Sequence, residues 1–353
     1  MKLLWINNQF ATGPYYGYSI HNHKMKQALL EAGVAITADP SEDFDIAIHI
    51  TNPHFFKPIP GKKNLLFTQV EMSEPFEWSE TVGLADLLVT SCTHSREVLA
   101  RHYTGRIDIC PEGVDPSLFP CWTRRAPSPD EPFRFLFFGY LGERRKGADP
   151  LFAAWRNWQA SGRMPQNVEL YVKSSGHVNG RKYQLPAAAP RALADMFALD
   201  PEKRNDLATG WPLGTIKDTR NLSAKEIADL FNSAACFLSP SGNEAWNLCL
   251  TEAMSTGCPC VWTAHSAMLD YADSSIGYPI TDYEMIPFYR NDERYALGAM
   301  PSADAILARM EEIYRDYPAA LERGRAASER MRTRFTWRQA AEKFIEICTE
   351  VTK

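Results

Sequence analysis

The chain has 353 residues, 45% of them hydrophobic and 23% charged, with a formal net charge of −5. That length allows an ample core and suits two domains of ordinary size, while the mildly acidic balance argues against broad electrostatic binding to nucleic acid. The cysteines are scattered, with Cys258-Pro-Cys260 the one close spacing, which argues against a zinc site or disulfide framework and fits the reduced thiols of a cytoplasmic protein.

In chain order, MKLLWINNQF turns polar too soon for a secretory signal. No later run reaches membrane-spanning length, so a soluble protein is expected, with peripheral membrane contact left open. Leu3 to Ile6 predicts a buried strand, followed by the loop NNQFATGPYYGY and an amphipathic helix. On that helix Ile20, Met25, Ala28, Leu29 and Ala32 share a face, and Gly33 ends it. A strand, a glycine-bearing loop and a helix open many nucleotide-binding domains. Tyr15, Tyr16 and Tyr18 either stack on a sugar or pack the loop. Phe44 to Ile50 and Asn64 to Phe67 predict two further strands. The stretch TRRAPSPDEP, residues 123–132, has linker composition and sets the domain boundary.

Beyond it, Phe133 to Phe138 predicts a strand, and GYLGERRKGADPLFAAW a basic, glycine-bearing loop running into a helix. Val168 to Val172 predicts another strand, and the Ala-rich centre of residues 176–214 a helix. Ser223 and Glu226 form a capping box at the start of a helix over Leu222 to Ala234. Ala264 to Tyr295 reads as irregular and aromatic, with helices following. The histidines are dispersed. Only His21 and His23 are close, and they lie toward opposite faces of one helix, so no metal site is expected.

The stretch from Phe237 to Thr263, opening on the apolar run Ala235 to Leu238, is the most informative. A short apolar strand meets a turn at Pro240 to Asn243, then a helix over Leu248 to Ser255, stopped by Gly257 and Pro259. Cys260 to Trp262 follows as a strand, completing a β-α-β unit with its ligand site at the carboxyl end of the first strand. Glu244 sits in the turn and Glu252 about two turns further on. The first amides of the helix, at Trp246, Asn247 and Leu248, form an anion cradle. Carboxylates beside such a cradle suit a nucleotide sugar. Equally, Glu244 caps the helix electrostatically and Glu252 is a solvated face residue. The residues alone leave both readings open.

Glu244-x7-Glu252 followed by AMSTGCPCV resembles the Glu-x7-Glu signature of family 4 retaining glycosyltransferases, with Ala245-Trp246-Asn247 where that family carries Gly-Phe-Gly. The resemblance implies the GT-B architecture: two facing doubly wound, Rossmann-like α/β domains with the active site in their cleft. Residues 1–122 are then an acceptor-side domain and residues 133–335 a donor-binding domain, with the closing helix 336–353 packing back on the first. It also implies roles. Gly17 lies where the backbone approaches the donor phosphate or acceptor, and Glu71 is the acceptor-side acid, with Glu74 and Glu77 competing. Asp86 to Ser91 resembles a structural strand of the family, and in ICPEGVDPSLFP the matching Gly113 and Asp115 are turn-formers. Lys146 before Gly147 holds the donor diphosphate, and Arg144 or Arg145 stands in for the arginine the family carries at the position of Tyr140.

The implied catalytic residues are therefore Glu244, Lys146 and Glu71; the donor contacts are Gly17, Arg144, Arg145, Lys146, Trp246, Asn247, Leu248 and Glu252. The implied activity is metal- and cofactor-independent transfer of a hexosyl or pentosyl group from a nucleoside-diphosphate sugar to an acceptor hydroxyl. The acceptor is a glycan, lipid, metabolite, protein or modified nucleic acid. Two alternatives stand beside it: a catalytically weak nucleotide-sugar-binding partner protein, and another GT-B activity such as nucleotide-sugar epimerisation.

Overall fold

Apolar runs of strand length alternating with helices bury both faces of each strand only in a parallel sheet covered on both sides. The computed structural model describes residues 1–6, 17–74, 79–139, 141, 144–174, 212, 214–290 and 293–352, and the chain divides into two compact units. Tyr15, Tyr16, Glu77, Tyr140 and nearly all of 176–214 lie outside the described residues.

Unit 1 comprises Met1–Asp115, Glu244–Leu248 and Arg332–Lys353. Its strands β1 (Lys2–Ile6), β2 (Ala35–Thr37), β3 (Ile46–Ile50), β4 (Lys63–Phe67), β5 (Leu87–Thr90) and β6 (Ile107–Ile109) form one parallel sheet, ordered β2-β1-β3-β4-β5-β6. All of β3 is buried, as a central strand between helical layers must be. Its helices are α1 (Gly17–Glu31), α2 (Ser79–Val82), α3 (Thr93–Leu99) and, at the end of the chain, α10 (Trp337–Thr352). Trp337, Ala341, Phe344 and Ile347 of α10 share one core with Leu3, Trp5, Met25 and Ile48. Gly113 serves this packing rather than a turn. A Cβ there would stand 2.2 Å from the Trp337 amide nitrogen, and its φ is not among the positive ones. Val114 N–H donates to Phe335 O at 2.8 Å, and Asp115 pairs with Lys24 at 3.1 Å.

Unit 2 comprises Pro116–Asn243 and Cys249–Met331. Its parallel sheet runs β12-β11-β10-β7-β8-β9, from β7 (Phe133–Phe138), β8 (Val168–Lys173), β9 (Thr215–Asp218), β10 (Cys236–Ser239), β11 (Cys260–Thr263) and β12 (Tyr278–Ile280). Helices α4 (Ala148–Ala160), α5 (Ala224–Ser233), α6 (Leu248–Ser255), α7 (Met268–Tyr271), α8 (Ala303–Arg315) and α9 (Tyr317–Arg334) accompany it. The Ser223–Glu226 capping box is formed, with both reciprocal bonds present at the start of α5. Phe135, Trp155 and Trp158 are buried in the main core, each contributing roughly 2–3 kcal/mol of apolar transfer.

Two expectations change here. The proline-rich stretch at 123–132 is anchored to unit 2: Arg124 donates to the carbonyls of Phe231 and Ala234, each at 2.8 Å. Starting within the stretch read as irregular, β13 (Tyr283–Arg290) pairs as an antiparallel ribbon with β14 (Glu293–Pro301). Its inner positions include Ala296 and Ala299, both buried, and small side chains give little strand signal.

Candidate functional site

In unit 2 the first strand of the sheet, β7, lies beside β10, with Phe135 opposite Cys236 and Phe137 opposite Leu238. From β7 the chain proceeds to β8 and β9 on one side, and from β10 to β11 and β12 on the other. This is the switch point of the sheet, where the carboxyl ends of two neighbouring strands diverge and open α/β sheets form their ligand crevice. The basic loop leaves β7 there, and the turn leading to Glu244 leaves β10.

These two loops are stitched together. Arg144–Lys146 forms a 3-10 turn and Gly147 follows with φ 73°, in the left-handed region. A Cβ on Gly147 would stand 2.2 Å from Pro240 O. The Arg145 carbonyl accepts from Gly242 N at 2.9 Å and from Ser241 Oγ at 3.1 Å, and its Nη1 donates to Asn243 O at 2.9 Å. The ribbon completes the clamp. Ala299 N donates to the buried Asn243 Oδ1 at 2.8 Å, and a Cβ on Gly242 would overlap Ala299 O at 1.6 Å. Arg145 is thus bound into the scaffold, whereas Arg144 is exposed with its guanidinium 6.0 Å from the Phe288 ring centre.

Glu252 is half-buried on α6 in unit 2. At the carboxyl ends of β8 and β9 the structure adds charged residues that sequence reasoning missed. Lys173 is 2% exposed; its Nζ donates to Ser174 O at 3.1 Å and lies 5.4 Å from the Phe138 ring centre. Burial holds this ammonium below the ordinary lysine range, against the opposing pull of Asp218. Asp218 accepts from Arg220, which holds its carboxyl well below the usual range. The available signal was a lysine ending an apolar strand.

In unit 1, Glu244 is 4% exposed, and Trp246 is buried with its ring 5.7 Å from that of Phe335. Asn247 has φ 78°, left-handed at the position where the resembled family carries glycine. Asn is among the few residues with a side chain that enter this region readily. Leu248 packs against the unit 1 core. Gly17 opens α1, exposed, with open space around a hypothetical Cβ. The Tyr18 hydroxyl accepts from Gln69 N at 2.9 Å, and burial pushes its pKa up to about 12, so this ring packs the fold. Glu71 is half-buried in this unit, while Glu74 is taken up by Arg101 at 2.9 Å. Glu244 therefore belongs to unit 1 with Gly17 and Glu71, and Glu252 to unit 2 with Arg144, Arg145 and Lys146.

Among the described residues no helix is long and apolar enough to cross a membrane, and no group of three or more His, Cys, Asp or Glu side chains is arranged to hold a metal ion.

The units together have the fold of GT-B glycosyltransferases. Sucrose-phosphate synthase from Thermosynechococcus elongatus is similar at TM-score 0.68 and 14% identity, over 99% of each chain. HepE from Anabaena, solved in complex with UDP-glucose, is similar at TM-score 0.66 and 12% identity, over 99% of this chain and 100% of that one. A glycosyltransferase from Rickettsia africae is similar at TM-score 0.64 and 12% identity, over 100% of this chain and 98% of that one. No curated protein matches the chain by sequence. Residues 220–344 match the family described as family 4 glycosyltransferases in conflict systems.

Proposed function

We propose that the protein is a glycosyltransferase that takes a sugar from a nucleoside-diphosphate donor and passes it to an acceptor hydroxyl with retention of anomeric configuration and without a metal ion. The observation that carries the reading is the clamp at the switch point of unit 2, which fixes the Lys146 loop against the turn that leads to Glu244. Breaking a sugar–phosphate bond builds negative charge on the departing diphosphate, and preorganised cations stabilise it. Lys146 and the exposed Arg144 supply that charge from a loop whose backbone cannot shift without disturbing Pro240 and Gly242. Glu252 receives the ribose hydroxyls, Glu244 the transferred sugar, and Glu71 the acceptor side. The HepE complexes with UDP-glucose and UDP make uridine nucleotides the first donors to try.

The test is a thermal-shift screen over UDP-, GDP-, ADP- and dTDP-sugars, since a ligand at about 100 times its Kd adds about 2.7 kcal/mol of apparent stability. It is followed by turnover of the selected donor with and without EDTA and by NMR of the product anomer. Lys146→Ala is expected to slow release of the diphosphate by about a hundred-fold or more. Activity lost with EDTA and restored by magnesium, or an inverted product, would refute the corresponding part of the reading.

A further inference from the structure

The parallel strands of unit 1 bring His21 of α1 together with residues that follow β4, β5 and β6: Gln69, Ser91 and Glu112. His21, Ser91 and Glu112 are at most 3% exposed. One Glu112 oxygen, Oε1, accepts from His21 Nδ1 and from Gln69 Nε2, each at 2.7 Å. The second Gln69 amide hydrogen goes to Ser91 Oγ at 3.3 Å, and Ser91 Oγ donates to the carbonyl of Ala245 at 2.6 Å. Every donation in this chain has one possible sense. A carboxylate only accepts, so His21 and Gln69 must donate to it. With Gln69 donating, the single Ser91 hydrogen is left for Ala245. Rotating the Gln69 amide would set its oxygen against the carboxylate, so the register is unique.

A carboxylate so deeply buried is costly unless its partners are fixed. Here the partners end on the backbone of the residue next to Glu244, within the same unit. We propose that Ser91, Gln69, Glu112 and His21 are positioning residues, a relay that holds the Ala245 carbonyl and through it the turn carrying Glu244. This deepens the proposed function and rests on Glu244 acting on the transferred sugar.

Ser91→Ala removes one hydroxyl and leaves the packing. The expected result is faster amide hydrogen exchange over residues 244–248, and release of UDP from UDP-glucose about 10- to 100-fold slower, the range for a displaced catalytic group. The Kd for UDP, measured by calorimetry, is expected to stay unchanged. Gln69→Met, which leaves the Ser91 hydroxyl in place, is expected to give a smaller change in the same direction. Unchanged exchange at 244–248 in Ser91→Ala would overturn the relay, as would equal losses of UDP affinity and rate. Glu244→Ala separates this from the function it rests on. If Glu244→Ala leaves UDP release intact, the assignment of Glu244 fails, and the exchange measurement still decides the relay.

Discussion

Gly147→Ala tests whether the clamp in unit 2 sets the donor loop. Two costs add at this position. At φ 73° an L-residue is disfavoured by about 1–2 kcal/mol. The new Cβ would also start 2.2 Å from Pro240 O, where real contacts essentially never fall below 3.0 Å, so one loop must move by roughly the difference, 0.8 Å. That movement strains the bonds from Gly242 N and Ser241 Oγ to the Arg145 carbonyl. Gly162 is the internal control, because its φ is 68° but open space surrounds a Cβ there. Gly162→Ala is therefore expected to lose only the conformational share, about 1 kcal/mol in urea unfolding. Gly147→Ala is expected to lose about 2–4 kcal/mol and to weaken UDP binding at least ten-fold. Equal destabilisation of the two variants, with UDP affinity retained in Gly147→Ala, would refute the idea that loop contact fixes the site.

Three further outcomes follow from the same geometry. Asn247→Gly is expected to keep stability within about 0.5 kcal/mol, and Asn247→Val to lose about 2 kcal/mol or more, because a β-branched side chain does not fit φ 78°; equal urea midpoints for the two would contradict the left-handed turn. Arg145→Lys is expected to cost about 1 kcal/mol by losing the bond to Asn243 O, while Arg144→Ala leaves stability unchanged and weakens UDP binding in calorimetry; the reverse pattern would exchange their roles. His49 is buried against Phe56 and Asn64, and burial lowers its pKa to about 4, so the unfolded chain takes up the proton first. Stability is then complete above about pH 6.5 and lost as the pH falls toward 4, by up to about 3 kcal/mol. His49→Leu should flatten that slope, and an unchanged slope would rule His49 out as its source.

What was legible in the sequence follows physical lines. Strands β3, β4, β7, β10 and β11 are largely buried and carry short apolar runs, interrupted by His49 in β3 and Arg134 in β7. The capping box of α5 is local, so four residues contain all its information. Besides the ribbon strands, those that escaped notice, β2, β6, β9 and β12, lie at sheet edges, and Ile216 and Lys217 of β9 face solvent, which removes the hydrophobic signal. Glu244 and Glu252 could be located from the pattern of the turn and α6. The contacts that fix the neighbouring loops could not: Arg145 meets Asn243 across 98 residues, and His21 meets Glu112 across 91. Such pairings depend on which strands lie side by side, and that order is set by the sheet rather than by any local spacing.

At Ala245-Trp246-Asn247 the turn is held by its side chains and their contacts where the resembled family carries Gly-Phe-Gly. Where the resembled family has glycine first, Ala245 has no positive φ, so the backbone there needs no glycine. Its carbonyl is instead held by Ser91 at 2.6 Å, which replaces conformational freedom with a specific bond. In the middle, Trp246 keeps an apolar aromatic, buried beside Phe335. At the third position the backbone is left-handed, with φ 78°, and Asn247 adopts it at a modest cost. A glycine-rich turn is adaptable because many backbone states are open to it. This turn has fewer such states and more fixed contacts. If it serves catalysis, the geometry of Glu244 depends on the side chains around the turn, Ser91 first among them, and substitutions several residues from any ligand should alter turnover without altering nucleotide affinity.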